Sequence, residues 1–389
     1  MDTRIRTAAR VAEIAPFHVM EVQTAARALE AAGRTVVHME IGEPDFPTPP
    51  LVVAAAQRAI AAGDVYYTSA LGLPELRRAI SAHYADHYGV TVAPERIIVT
   101  AGSSAALLLV MALLVNRDDR ILLSDPGYPC NRHFVRVLEG APVGIPVGPD
   151  SNYQLTADLI ERNWTPATRG ALIASPSNPT GTVVPFDEMR RIAEAMADRE
   201  GELIVDEIYL GLTYGARPRS VLEFAHDAFV VSSFSKYFNM TGWRLGWLVA
   251  PERHVRDLEK LAQNLYISPA TPSQRAALAC FEPATLALLE ERRRAFEARR
   301  DFLVPALRAL GFGVPVMPTG GFFVYADCST FGADSEQFCR DVLAGCGVAI
   351  TPGLDFGQHH ADRHVRFAYT IDRAKLEDGV ARLARFLRR

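Results

Sequence analysis

The stretch SSFSKYFNMTGWRLG, residues 232–246, joins two predicted buried strands and contains one of only three lysines in the 389-residue chain. The other two, Lys260 and Lys375, lie in charged, helix-like segments, and arginine supplies the rest of the 41 basic residues. Arginine cannot be deprotonated in proteins and cannot form a Schiff base. An amine at Lys236 therefore indicates chemistry for which arginine would not serve.

Short apolar runs alternate with helical patterns on both sides of this stretch. The predicted strands are Ile97–Thr100, Ile121–Ser124, Ala171–Ala174, Leu203–Asp206, Phe229–Ser233 and Gly246–Ala250. They are continuously apolar rather than alternating, which is typical of strands buried on both faces of a mostly parallel sheet. The pattern predicts an α/β fold.

Polar residues follow these strands where each one ends. They are Ser103 and Ser104, Tyr128, Ser177 and Asn178, Asp206, and Lys236. Ligands of such sheets bind beyond the carboxyl ends of the strands. We therefore expect these side chains to share one binding site.

The rest of the chain predicts a smaller α+β unit and a helical arm. The expected elements are an arm helix within 1–35, a long helical stretch over roughly 273–310 that is interrupted by Pro283 and strained at Pro305, strands at 321–326, 348–351 and 364–369, and helices near 334–345 and 372–388. We divide the chain into an N-terminal arm (1–45) that joins the small domain, a large domain (46–270) and a small C-terminal domain (271–389). The large domain is expected to hold the parallel sheet, flanked by helices.

Bulk properties exclude several classes of protein. The net charge of −4 and the absence of a basic patch argue against nucleic-acid binding. Five cysteines without a C-x-x-C pair argue against a disulfide framework or a metal site. The longest apolar run, 105–115, is too short to span a membrane, and no signal-peptide segment is found. We expect a soluble, cytoplasmic protein.

Six residues come in an order and spacing that single motifs do not explain. Each alone has an ordinary structural interpretation, such as a turn, a helix cap or an ion pair. They are Asn178, Asp206 28 residues later, Tyr209, Lys236, Arg244 eight residues after the lysine, and Arg366. Together with GEPDF at 42–46 and GLPELR at 72–77, they resemble the fold-type I pyridoxal-phosphate enzymes, in particular the class I/II aminotransferases. The resemblance runs from about residue 15 to the end.

The resemblance implies roles for particular residues. Lys236 would hold pyridoxal 5′-phosphate as a Schiff base and move protons, with Asp206 at the ring nitrogen and Tyr209 beside it as further catalytic residues. Asn178 and Tyr209 would bind the phenolate oxygen. The remaining cofactor contacts would be Ser103, Ser104 and Ala105 at a helix N-terminus, Ser233 or Ser235, Arg244, Tyr128 against the ring, and Tyr67 of a neighbouring subunit. Arg366 would bind the substrate carboxylate, in a pocket that includes Gly42, Asn178 and Phe17.

The substrate side chain is less constrained by sequence. Some bacterial aspartate aminotransferases of this group carry a lysine where this chain has Ser104, and Phe17 favours an apolar or aromatic pocket. We expect a neutral, apolar or aromatic amino-acid donor and a 2-oxo acid acceptor, for which 2-oxoglutarate is the candidate. For 2-oxoglutarate as the acceptor, Arg132 or a partner residue would supply a cation. We expect His18 to be a buried helix residue rather than a catalytic one.

Other functions share the same cofactor contacts. β C–S lyases, decarboxylases and aminocyclopropane-forming enzymes differ mainly in how they place the substrate. A pyridoxal-phosphate-binding regulator would carry a DNA-binding module before Gly42, and we expect the 40 residues there to be too few for one. Tyr67 and the loop 268–271 resemble segments that complete a neighbouring active site, so a homodimer is expected.

Overall fold

The computed structural model describes residues 7–332 and 334–388; the first six residues of the predicted arm lie outside this part. Its helices are α1 His18–Ala31, α2 Pro50–Ala61, α3 Pro74–His83, α4 Ser103–Leu114, α5 Pro129–Val137, α6 Ala157–Asn163, α7 Phe186–Ala197, α8 Val255–Leu265, α9 Thr271–Ala277, α10 Pro283–Ala309, α11 Ser335–Cys346 and α12 Arg373–Leu387. Its strands are β1 Val37–His38, β2 Ile97–Thr100, β3 Arg120–Asp125, β4 Ala141–Pro146, β5 Thr168–Ala174, β6 Glu202–Asp206, β7 Phe229–Ser233, β8 Gly246–Val249, β9 Phe323–Asp327, β10 Val348–Ala349, β11 Thr351–Pro352 and β12 His364–Ala368.

A seven-stranded sheet forms the centre of the molecule, in the order β2-β8-β7-β6-β5-β3-β4. The strands are parallel except β8, which runs antiparallel to both β2 and β7. All six predicted strands are present, and β2 and β7 have the predicted bounds. The expected α/β class, with a mostly parallel sheet between helices, is confirmed.

The sequence did not predict the edge strand β4. Ala141–Pro146 contains two prolines and a glycine, and most of its residues are partly exposed. Proline lacks a backbone donor, so it is tolerated on an edge strand but not within a sheet. β4 pairs only on one side, with β3, and this position accounts for its unusual composition.

The C-terminal part builds a smaller unit around the antiparallel sheet β11-β12-β9. The strand predicted over 348–351 is two short strands: β10 pairs with β1 of the arm, and β11 pairs with β12. The helical stretch predicted over 273–310 is interrupted before Pro283, as expected: α9 ends at Ala277, and Pro283 begins α10 at a position that needs no backbone donor. Pro305 lies inside α10 without ending it.

The topology brings several predicted site residues to one edge of the large sheet. Asp206 ends β6, and Lys236 follows the end of β7. Because β8 is antiparallel, its beginning at Gly246, and Arg244 just before it, lie at the same edge.

Among the described helices, none is both long and apolar enough to cross a membrane.

Candidate active site

A cavity of about 270 Å³ lies at this edge of the sheet. It is lined by twelve of the predicted site residues: Phe17, Gly42, Ser103, Ser104, Tyr128, Asn178, Asp206, Tyr209, Ser235, Lys236, Arg244 and Arg366. They come from the arm, the large sheet and the small unit. Three other predicted residues, Tyr67, Ala105 and Ser233, are not part of its wall.

The amine of Lys236 is enclosed in this cavity. Nζ donates a hydrogen bond to the backbone oxygen of Gly42 at 2.7 Å. Burial, opposed by the negative charge of Glu43, lowers the pKa of this amine from 10.5 to about 8. A lysine whose pKa lies near 8 is partly neutral at ordinary pH, so its nitrogen has a lone pair for nucleophilic attack or proton transfer.

Asp206 is a buried carboxyl group at the end of β6. One of its oxygens accepts a hydrogen bond from the amide of Ile208 at 3.1 Å. Burial raises its pKa to about 6, with the Ile208 amide and the charge of Lys236 acting in the opposite direction. A carboxylate that is costly to ionise in this environment would be stabilised by a cationic group of a ligand.

Arg366 lies between two aromatic rings, with its Cζ 4.4 Å from the ring centre of Phe323 and 4.7 Å from that of Phe356. Its Nη1 donates to the side-chain oxygen of Asn178 at 2.9 Å, and Nη2 donates to the backbone oxygen of Glu40. Burial lowers the pKa of Arg366 to about 10, so the guanidinium stays charged. The side chain is 3% exposed, and its orientation is fixed on both faces and at both ends.

Tyr209 belongs to the same wall. Its ring packs edge-on against Phe322 and Phe323, at 5.3 and 5.8 Å between ring centres. Burial raises the pKa of the phenol, which therefore remains a neutral hydrogen-bond donor at physiological pH. A donor at this position can bind an anionic oxygen of a ligand.

An anion cradle lies at the N-terminus of α4. Gly102 precedes the helix with φ of +81°, and a Cβ there would lie 2.7 Å from Nη2 of Arg244. A Cβ at Gly246 would lie 2.9 Å from the backbone nitrogen of Ser103. Both glycines therefore let the guanidinium and the start of β8 approach the helix end, where unpaired amides favour an anion.

Ser233 and Ser235 differ in their position relative to the cavity. Ser235 lines it, whereas Ser233 lies behind, with its hydroxyl 3.0 Å from Oγ of Ser235 and 3.1 Å from the backbone oxygen of Leu245. Of the two alternatives, Ser235 can reach a ligand, and Ser233 orients Ser235. Ala105 is in the first turn of α4, where only its backbone amide could contact an anion.

Tyr67 lies on the surface and not in the cavity. Its side chain is 80% exposed, as is that of Tyr66. The backbone oxygen of Tyr66 accepts a hydrogen bond from the hydroxyl of Thr271, so the segment is held to the loop 268–271. Tyr67 is available to another molecule rather than to the cavity of its own chain.

Two sequence expectations about the substrate side need correction. Arg132 lines a neighbouring cavity, and its guanidinium donates to the backbone oxygen of Asp355 at 2.9 Å. His18 is the first residue of α1 and is partly exposed, with its ring 3.2 Å from Glu21. It is therefore not the buried helix residue that the sequence suggested.

Several lining residues were not recognised from the sequence. They are Met20, Ile41, Glu43, Ala174, Pro176, Ile208, Thr241 and Phe323. Most are apolar residues next to a motif residue, and nothing in their chemistry separates them from core residues. Glu43 belongs to the motif at 42–46, and adjacency to Gly42 and Tyr209 was the available signal for Ile41 and Ile208.

The chemistry of these groups fits pyridoxal 5′-phosphate. The cradle suits a phosphate, and the buried carboxyl group of Asp206 suits a protonated ring nitrogen. Tyr128 supplies an aromatic surface, with its ring 6.3 Å from that of Phe17. The amine of Lys236 lies in the same cavity and can bind an aldehyde.

Comparisons with known proteins agree with this fit. The family model "Aminotransferase class I and II" matches residues 34–383. A valine–pyruvate aminotransferase of Mycobacterium tuberculosis is 38% identical over 97% of this chain and 97% of its own length. An aspartate/prephenate aminotransferase of Thermus thermophilus is 32% identical over 98% of each chain.

A crystal structure of an aminotransferase from Mycobacterium tuberculosis superposes with a TM-score of 0.95, at 38% identity and with 99% of each chain covered. Its agreement in fold extends over the large sheet and the smaller unit alike. The chain therefore belongs to the class I and II aminotransferases, transferases whose cofactor is pyridoxal 5′-phosphate.

Proposed function

We propose that this aminotransferase moves an amino group between a neutral, apolar or aromatic amino acid and a 2-oxo acid. The observation that carries the proposal is the wall of the cavity on the arm side. It is formed by the apolar side chains of Phe17, Val19, Met20, Ile41 and Phe323. Apolar side chains of a substrate gain free energy by leaving water for such a surface, whereas a charged side chain loses hydration there.

The charges of the cavity support the same substrate class. Within residues 7–332 and 334–388, Arg244 and Arg366 are the two arginines that line it. Arg244 lies at the anion cradle of α4, which leaves Arg366 for the α-carboxylate of the substrate. Glu43 adds a negative charge to the wall, with its carboxylate 2.7 Å from the hydroxyl of Thr241. A second carboxylate on the substrate would therefore meet repulsion.

The number of guanidinium groups in the cavity also limits how many carboxylates the acceptor can carry. A short 2-oxo acid with a single carboxylate matches one free guanidinium, whereas 2-oxoglutarate needs a second cation. Arg132 is directed to the backbone of Asp355 and faces a different cavity. The 38%-identical relative is named for valine and pyruvate, a pair of this kind. We favour pyruvate-like acceptors over 2-oxoglutarate.

The bound cofactor withdraws electrons from the substrate α-carbon and so acidifies its C–H bond. Lys236 is the group we assign to take that proton, because a pKa of about 8 suits a general base near neutral pH. With the cofactor bound, Asp206 would hold a negative charge against the ring nitrogen, and Tyr209 would donate a hydrogen bond to the phenolate oxygen.

Asn178 and Arg366 orient the substrate. The guanidinium is fixed by the side-chain oxygen of Asn178 and by two ring faces, so its planar fork is already in place before a carboxylate binds. Such pre-organisation lowers the entropic cost of binding and holds the α-carbon near the amine of Lys236.

We further propose that two copies of the chain form a dimer with shared sites. Val65 is more than half accessible beside Tyr66 and Tyr67, and so are Leu265 and Ile267, which precede the loop 268–271 that binds the backbone of Tyr66. Exposed apolar groups of this kind are typical of protein interfaces. The arm (1–45), large (46–270) and small (271–389) domains are proposed with these bounds. Sedimentation of a fully active monomer would contradict the dimer.

A half-reaction screen tests the substrate assignment. The cofactor-loaded enzyme is mixed with each amino acid in the absence of acceptor, and the visible absorbance of the bound cofactor is followed. We expect valine, leucine and phenylalanine to bleach it, and aspartate and glutamate to react at least ~10-fold more slowly in kcat/KM. Faster reaction with aspartate would refute the proposed class. Release of pyruvate and ammonia from a cysteine conjugate would instead indicate a lyase.

A further inference from the structure

The arm helix α1 does not cap its own first turn. Phe17, at the N-cap position, makes no side-chain hydrogen bond to the helix. The carboxylate of Asp355, 337 residues later in the chain, accepts from the amide of His18 at 2.9 Å and from the amide of Val19 at 3.4 Å. A carboxylate at a helix N-terminus satisfies unpaired donors and opposes the positive end of the helix dipole.

Asp355 is itself firmly held. It is 1% exposed, and its backbone oxygen accepts from the guanidinium of Arg132 on α5. The next residue, Phe356, accepts from the amide of Gly127 at 2.8 Å. Further along, the carboxylate of Asp125 accepts from two backbone amides of residues 358 and 359. The turn that carries Asp355 is therefore fixed to the edge of the large sheet.

The part of the arm held in this way forms a wall of the active-site cavity. Phe17, Val19 and Met20 line it, and the ring of Phe17 meets that of Tyr128 edge-on. Met20 is 49% exposed, so packing alone restrains this turn only on one side. The two bonds to Asp355 act directly on this turn, whereas the contacts of Arg10 and Glu13 with α5 hold the segment before it.

We propose that Asp355 is a positioning residue that sets the preference for bulky over small apolar donors by holding the arm helix against the substrate pocket. This inference rests on the proposed substrate class. A large side chain gains contact with the arm only if the arm is held in place, whereas the methyl group of alanine is too short to use that contact. Within the described part of the chain, no hydrogen bond joins Asp355 to the amine of Lys236 or to the anion cradle, and its charge acts on Arg366, which would bind the carboxylate that all donors share.

Asp355→Ala and Asp355→Asn test the inference. Alanine removes both acceptors, whereas asparagine keeps one and loses the charge; neither alters the backbone oxygen that Arg132 binds. Asp334→Ala is the matched control, because Asp334 caps α11 of the same small unit through the amides of Glu336 and Gln337. The holoenzyme is used throughout, and its visible absorbance reports whether the cofactor is bound normally.

The first measurement is hydrogen–deuterium exchange of the peptide that covers residues 16–24. We expect its exchange to become about tenfold faster in Asp355→Ala, from the loss of a helix cap. Asp355→Asn should show a smaller change, and Asp334→Ala should change exchange only in α11. Unchanged exchange at 16–24 in Asp355→Ala would overturn the inference.

The second measurement is the ratio of kcat/KM for leucine to that for alanine. We expect the ratio to fall about tenfold in Asp355→Ala, mainly through a higher KM for leucine, and to stay within twofold of wild type in Asp334→Ala. Faster exchange with an unchanged ratio would refute the role in selectivity. If the wild-type enzyme uses no apolar donor, the proposed function fails, and the exchange result still decides whether Asp355 holds the arm.

Discussion

Replacing Arg366 by lysine keeps the positive charge but removes the planar guanidinium, which can donate two parallel hydrogen bonds to a carboxylate. The guanidinium is buried between Phe323 and Phe356 and is oriented by Asn178 and the backbone of residue 40. A lysine would make one charge-assisted hydrogen bond to the carboxylate instead of two, a loss of about 2 kcal/mol. It would also lose part of the stacking between the rings, but this contact exists with and without substrate and therefore affects stability rather than kcat/KM. The loss of about 2 kcal/mol in carboxylate binding corresponds to about 30-fold in kcat/KM.

The assay compares leucine with 3-methylbutylamine, which is leucine without its carboxylate. If Arg366 binds that carboxylate, Arg366→Lys lowers kcat/KM for leucine by about 30-fold. The same change should leave the slow reaction of the amine nearly unaffected. Because the substrate group and the side chain are each removed separately, the two effects form a thermodynamic cycle that isolates their interaction.

Arg292→Lys is the matched control. Arg292 is also buried, lies over the ring of Phe46, and donates to one backbone oxygen and one asparagine side chain, but it does not line the cavity. It should lower stability to a similar degree and leave the ratio of leucine to amine unchanged. Equal losses for leucine and the amine in Arg366→Lys would refute carboxylate binding by Arg366.

Three further results are expected. Gly102→Ala should weaken cofactor binding to the apoenzyme at least ~10-fold, because φ is +81° and the added Cβ would meet the guanidinium of Arg244. Gly148→Ala is the control, since a Cβ there would meet open space, and it should leave cofactor affinity unchanged. Equal cofactor affinities of the two variants would contradict the anion cradle. Hydrogen bonding to Glu40 raises the pKa of His38 from 6.5 to about 9, so its stabilisation is full below pH 6.5 and is lost as the pH rises through 9. Urea unfolding should show that the free energy of unfolding of the wild type falls by about 1–2 kcal/mol over that pH range, and that of His38→Gln does not. Identical pH profiles of the two proteins would refute stabilisation by the His38–Glu40 pair. Attachment of the cofactor to the apoenzyme should accelerate with pH to a midpoint near 8, because the pKa of Lys236 is lowered to about 8; a midpoint near the 10.5 of an ordinary lysine would contradict the burial of the amine.

The sequence predicted the features that depend on local pattern. Strand β7 has the predicted bounds because its five residues are buried and apolar or small, and Lys236 follows directly after it. In a parallel sheet, strand ends meet at one edge by geometry alone, so Asn178, Asp206 and Lys236 could be placed together without knowledge of the loops. The resemblance of the motifs to the class I/II aminotransferases then implied which cofactor this edge binds.

Features that depend on distant contacts could not be predicted. Nothing in the local sequence shows that Asp355 caps α1 or that Arg366 lies between two phenylalanine rings, because the partners are far apart in the chain. Arg132 illustrates the opposite error. Its charge suggested a substrate contact, but its direction is set by a backbone oxygen of the small unit. Residue type predicts chemistry, whereas packing decides where the side chain points.

Lys236 as the cofactor anchor and proton carrier is the central claim, and peptide mass spectrometry after borohydride reduction tests it most directly. The predicted result is a phosphopyridoxyl group on the peptide that contains Lys236, and none in Lys236→Ala or Lys236→Arg. Turnover of both variants should fall by about 10³-fold or more. A label on Lys260 or Lys375, or full turnover of Lys236→Ala without added amine, would contradict the account.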